Sequence, residues 1–169
     1  MTSQVTKYHM YVSLQDDDKI SIFTVDAMSG KVDHQEDVAI TGGPGPLALA
    51  PSREYLYVGR RGSHEISSYR VDQATGGLSF IGTAPLQGEP VYLTTDRSGK
   101  FALSAYYHQS TTAVHAIDNS GAAVAPPVEW LYTSRGVHAI QTDPTNKFAF
   151  VPHIAGNGPN AIFQFRFDE

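Results

Sequence analysis

Five side chains in this 169-residue chain are of a type that could do chemistry: His138, the adjacent Arg60 and Arg61, His108 and His153. An imidazole titrates near neutral pH, so His138 could take a proton from water and hand it to a leaving group. Its plainer use is a loop histidine bonded to backbone carbonyls. A guanidinium fork grips phosphate or carboxylate through two parallel hydrogen bonds, a use open to Arg61 and, less directly, to Arg60. The plainer alternative is a solvated pair matched to the acidic run Asp16-Asp17-Asp18. His108 and His153 suit polar contacts to a ligand. Three histidines can also hold zinc or copper, but these come from distant segments with no local carboxylate, so neither metal nor cofactor is expected.

Other chemistries find no support. Asp16-Asp17-Asp18 lacks the Gly and the later Glu of a calcium loop and reads as a solvated turn. With no cysteine there is no disulfide, thiolate metal site or Cys nucleophile. No Gly-x-Ser-x-Gly elbow and no phosphate-cradling Gly-rich loop before a helix occurs. Seventeen acidic against twelve basic residues leave a net charge of −5, with no basic cluster beyond Arg60-Arg61. Neither nucleic acid nor an anionic membrane is an expected partner. No apolar stretch approaches membrane-spanning length and the N-terminus has no apolar core of a leader, so a cytoplasmic protein is expected.

What must position these residues is a repeat. Tyr11-Val12-Ser13, Tyr57-Val58-Gly59, Leu103-Ser104-Ala105 and Phe150-Val151-Pro152 recur at intervals of 46, 46 and 47 residues. Such a period marks a stacked array, with units near 8–50, 51–96, 97–143 and 144–169. The second unit shows its parts: Pro46–Ala50, Tyr55–Gly59, Glu65–Val71 and Leu78–Ile81 are short runs rich in aromatic and branched residues, separated by polar or Gly-bearing turns. Four such strands make one antiparallel propeller blade, with strands A to D in chain order. No long segment carries helical periodicity. Asp96–Lys100 and Asp143–Lys147 make A–B turns; Asp26–Gly30 and Asp118–Gly121 make C–D turns, with Asp capping and Gly supplying positive φ.

Antiparallel order sorts the loops. A–B and C–D turns share one face, B–C and D–A loops the other. The first set is stereotyped. The second varies: 14–18, 60–64, 106–110 and 153–160, with His138 at the end of a D–A loop. Variable loops on one rim of a rigid scaffold are where binding and catalysis gather. Tyr106 and Tyr107 could stack on a ring, yet at a strand end they read as packing between blades, and Trp130 as packing of an outer strand. The fold expected is an all-β, open partial propeller of about three and a half blades, with no A strand for the first blade and no D strand for the last. Unpaired edges of that kind predict self-association of the isolated chain, unless a C-terminal half or a second chain completes the ring.

Three stretches carry a family resemblance: Ala50–Gly59, the Gly136-Val137-His138-Ala139-Ile140 run with Asp143-Pro144, and Phe148–Pro152. They resemble the N-terminal half of the seven-bladed propeller lactonases, which include the propeller type of 6-phosphogluconolactonase and a carboxy-muconate cyclizing enzyme. The resemblance implies a sugar-lactone substrate, His138 as acid/base near the channel mouth, and Arg61 as a ligand for phosphate or carboxylate. It also implies arginines and a glutamate from later blades, so the isolated chain is expected to be inactive. The competing functions are a propeller binding module without turnover and a muconate-lactonizing cyclase.

Overall fold

The computed structural model describes residues 6–154 and 158–168 and shows an all-β chain. Fourteen strands form four antiparallel sheets. The first holds β1 (Lys7–Leu14), β2 (Lys19–Asp26) and β3 (Val32–Ala39). The second holds β4 (Pro44–Leu49), β5 (Tyr55–Arg60), β6 (Glu65–Val71) and β7 (Leu78–Pro85). The third is β8 (Tyr92–Thr95), β9 (Phe101–Tyr106), β10 (Thr111–Ala116) and β11 (Glu129–Tyr132). The fourth is β12 (Gln141–Thr142), β13 (Phe148–Pro152) and β14 (Ile162–Arg166). This is the partial propeller that the 46-residue period predicts. Among the described residues the first sheet has no A strand and the fourth no D strand.

Period-two alternation sends the side chains of each strand to opposite sheet faces, and both faces of the inner blades are buried against neighbours. On β5, Leu56 and Val58 pack with Ile20, Ile40 and Val71 between the first two blades. Tyr57, between them in sequence, joins Ala48, Ile66, Leu93 and Ala102 between the second and third. On β9, Leu103 and Ala105 turn the other way, to Val137, Ile140 and Val151 of the fourth. Tyr106 is fully buried and bonds Ser104 Oγ at 2.8 Å, with Trp130 of the outer strand against its ring. Even the irregularities repeat, since the register shifts by one residue at Gln35 of β3, opposite Ile22 and Phe23, and at Ile81 of β7, opposite Ser68 and Tyr69.

The two faces of the array end their strands differently. On the turn face, left-handed residues sit at Arg53, Gly99 and Asn146 in the A–B turns and at Gly30, Gly76 and Gly121 in the C–D turns. On the opposite rim each B–C loop ends in a left-handed residue that is not glycine: Asp18, His64, Ser110 and Asn160. Asp and Asn tolerate this conformation best. The common ending re-enters the C strand in the same register while the loop before it varies.

Candidate functional site

His138 is placed by its two predecessors. Gly136 has φ +82°, and a Cβ there would stand 2.7 Å from the Ile154 carbonyl, so only glycine fits. Val137 turns its side chain into the core, fully buried, and forms a bridge with His153. His138 then donates its backbone N–H to the Pro152 carbonyl at 3.0 Å and leaves its imidazole exposed at the rim. Those ring nitrogens make no hydrogen bond among the described residues.

Tyr107 stands edge-on to the His138 ring at 6.4 Å and edge-on to His108 at 5.4 Å, so one aromatic separates two imidazoles. His108 Nε2 lies 3.9 Å from Glu89, and the other oxygen of that carboxylate pairs with Arg61. Arg61 in turn donates to Gln15 Oε1 at 3.2 Å. The result is an arc of side chains, His138–Tyr107–His108–Glu89–Arg61–Gln15, drawn from the B–C loops of the first three blades and from the D–A loops that follow the second and third. Glycines beneath make room for it. A Cβ on Gly45 would meet Arg61 Cδ at 2.7 Å, and one on Gly88 would meet Gln109 Cδ at 2.5 Å.

Two of the five candidates lie apart from this arc. Arg60 is engaged by its own blade, where it pairs with Glu65, its cross-strand neighbour, and donates to the Thr41 carbonyl at 3.0 Å. His153 is 3% exposed and sits beneath the rim. Its Nε2 meets Thr133 Oγ1 at 3.0 Å, its ring packs on Phe163 at 4.4 Å, and its Nδ1 has no partner. Residues 155–157 of the 153–160 loop lie outside the described residues. Among the described residues no group of three His, Asp or Glu side chains could hold a metal ion. No helix there is long and apolar enough to cross a membrane. A cavity of about 430 Å³ between the third and fourth blades is lined largely by apolar groups such as Phe101, Val114, Leu131 and Phe165 and contains none of the candidates.

Sequence reasoning missed Glu89 and Gln15 and took Tyr107 for packing between blades. The signal for Glu89 was available: Gln87-Gly88-Glu89-Pro90 is a D–A loop, and the strand order assigns every D–A loop to this rim.

The profile of the family described as "Lactonase, 7-bladed beta-propeller" matches residues 5–169. The chain belongs to that lactonase family. This lactonase-family chain is 34% identical over 143 residues to a protein named 6-phosphogluconolactonase from Pectobacterium atrosepticum, covering 85% of the chain and 42% of that relative. It is 34% identical over 146 residues to the protein of the same name from Yersinia pestis, covering 86% and 43%. The lactonase-family chain therefore spans less than half the length of these relatives. Among solved structures it is similar to a Pseudomonas aeruginosa periplasmic gluconolactonase, with a TM-score of 0.80 and 22% identity over 95% of the chain and 50% of the other. At that identity the likeness shows the fold.

Proposed function

We propose that this chain is half of a sugar-lactone hydrolase and that the arc of rim side chains is its share of the active site. The observation that carries the reading is the placement of an unengaged imidazole, His138, on the same rim as the guanidinium of Arg61. The names of the relatives support the substrate class: 6-phosphogluconolactonase for those that match in sequence, gluconolactonase for one that matches in fold. His138 takes a proton from water as the water oxygen attacks the lactone carbonyl. The ring C–O bond then breaks, and the imidazolium returns the proton to the departing ring oxygen, leaving an open-chain acid. Cationic side chains, Arg61 among them, hold substrate oxygens and balance charge that develops on the carbonyl oxygen. His108 completes the wall beside Tyr107, while Arg60 and His153 support the loops that shape it.

In this reading the ring is completed by a second half, to the length of the relatives. Lactone hydrolysis should be compared in the completed protein and its His138→Ala variant. Loss of an acid/base group predicts a fall in kcat of roughly 10²–10⁴-fold. Turnover undiminished in the variant removes His138 from the mechanism. Hydrolysis by the chain alone, at the rate of the completed protein, would show that the second half contributes nothing.

A further inference from the structure

The charge around Arg61 bears on what the rim accepts. Gly88 and Pro90, both buried, flank Glu89, and Pro90 lies close over Gly59, where a Cβ would meet its Cγ at 3.1 Å. Gln109 covers Gly88 from the other side. The carboxylate is thus seated between two packed neighbours and pairs with Arg61, whose guanidinium also donates to neutral Gln15. Arg60, the other arginine of this loop, is bound to Glu65. Neither guanidinium of the loop faces outward without a carboxylate.

A dianionic phosphate brought to Arg61 would meet Glu89, and like charges at such range repel strongly. A neutral hydroxyl meets the opposite situation. One oxygen of Glu89 is engaged by Arg61; the other stands 3.9 Å from His108 Nε2, too far for a hydrogen bond, so it can accept from a donor placed between them. A sugar hydroxyl is such a donor, and a carboxylate is a stronger acceptor for it than a neutral oxygen.

We propose that Glu89 is a specificity-determining residue that accepts a hydroxyl of a neutral sugar lactone and turns away a phosphorylated one. This rests on the lactone reading of the rim and narrows its substrate class. Glu89 touches substrate without taking part in proton transfer, so its loss changes which ligand is held.

The test is calorimetric titration of the completed protein with a neutral gluconolactam and with its phosphorylated counterpart, ligands that need no turnover. The unaltered protein should prefer the neutral ligand by about tenfold or more. Glu89→Gln, nearly identical in shape, should narrow or reverse that ratio, and Glu89→Asp should keep its direction. Equal or tighter binding of the phosphorylated ligand by the unaltered protein overturns the proposal, as does a ratio unmoved in Glu89→Gln or failure of either ligand to bind. Preference for the neutral ligand in a completed protein that hydrolyses no lactone would refute the hydrolase reading and leave the role of Glu89 in place.

Discussion

The two faces of this propeller use their polar side chains in opposite ways. On the turn face each aspartate serves its own turn. Asp26 accepts from the N–H groups of Met28 and Ser29, Asp72 from those of Ala74 and Thr75, and Asp118 from those of Ser120 and Ala122. Asp143 does the same for Thr145, Lys147 and Phe148. Every partner of these four lies within five residues; Asp96, in the third blade, adds one from the next blade. On the rim the partners are distant in sequence: Arg61 reaches Glu89 in the loop after β7 and Gln15 in the loop before β2. Local partners make a turn that folds by itself. Distant partners make a surface that exists only once the blades have stacked.

The largest effect that tests this contrast is at Asp96, the buried member of the turn set at 1% exposure. It accepts from the Ser98 and Phe101 N–H groups, from the Ser98 hydroxyl, and from Asn146 of the next blade. Burial pushes its carboxyl upward, yet these donors hold it below the usual value. Asp96→Ala strands those donors and should cost about 2–4 kcal/mol by chemical denaturation. Glu89→Gln, on the rim, should cost less than about 1 kcal/mol, because a pair one-third exposed is well screened. Equal costs at the two sites would erase the distinction.

Acid separates the turn set from the interior. His115 is 1% exposed and neither ring nitrogen has a partner; burial lowers its pKa to about 4. The unfolded chain binds the proton more readily, so stability falls as pH drops from about 6.5 toward 4, by roughly 2–3 kcal/mol. The turn aspartates act lower. Hydrogen bonds from the Thr145 hydroxyl and from backbone N–H groups hold Asp143 near 2. Its stabilisation is complete above the ordinary carboxylate value and lost as pH falls through its own. Denaturation midpoints from pH 7 to 2 should therefore fall in two stages, and His115→Leu should remove only the upper one. A single stage shared by both proteins would contradict the burial of His115.

The same division explains what could be read beforehand. Turn chemistry is written within five residues, so Asp143-Pro144-Thr145-Asn146-Lys147 declares itself, and the 46-residue period carries that reading to every blade. His138 was legible because Gly136 and Val137, beside it in the chain, set its direction. The rim position of Glu89 was legible from the strand order, but its pairing was not, because its partner is an arginine 28 residues earlier in another loop. His153 was a misjudged depth rather than an unreadable one. It shares the face of Val151, which is fully buried, and alternation alone carries it inward. Arg60 could also have been assigned to Glu65, since the two close the ends of β5 and β6 across a four-residue loop.

The smallest effect lies in one A–B turn, where the second blade departs from the pattern of the others. Its left-handed position is Arg53, φ +63°, where the third blade has Gly99 and the fourth Asn146. A side chain costs about 1 kcal/mol or more in that conformation. Arg53→Gly removes the cost but frees the unfolded chain, which returns about 0.4–1 kcal/mol of it. The two hydrogen bonds the residue makes with its backbone, to Ala50 and from Gln73, survive the change. Arg53→Gly should therefore stabilise the chain by about 0.5 kcal/mol, read as a higher denaturation midpoint at unchanged slope. Gly99→Ala should move it the other way by about 1 kcal/mol, since it puts strain where none existed. A loss of stability in Arg53→Gly would mean that the arginine side chain contributes more to this turn than its backbone does, and the turn face would no longer be built from local backbone geometry alone.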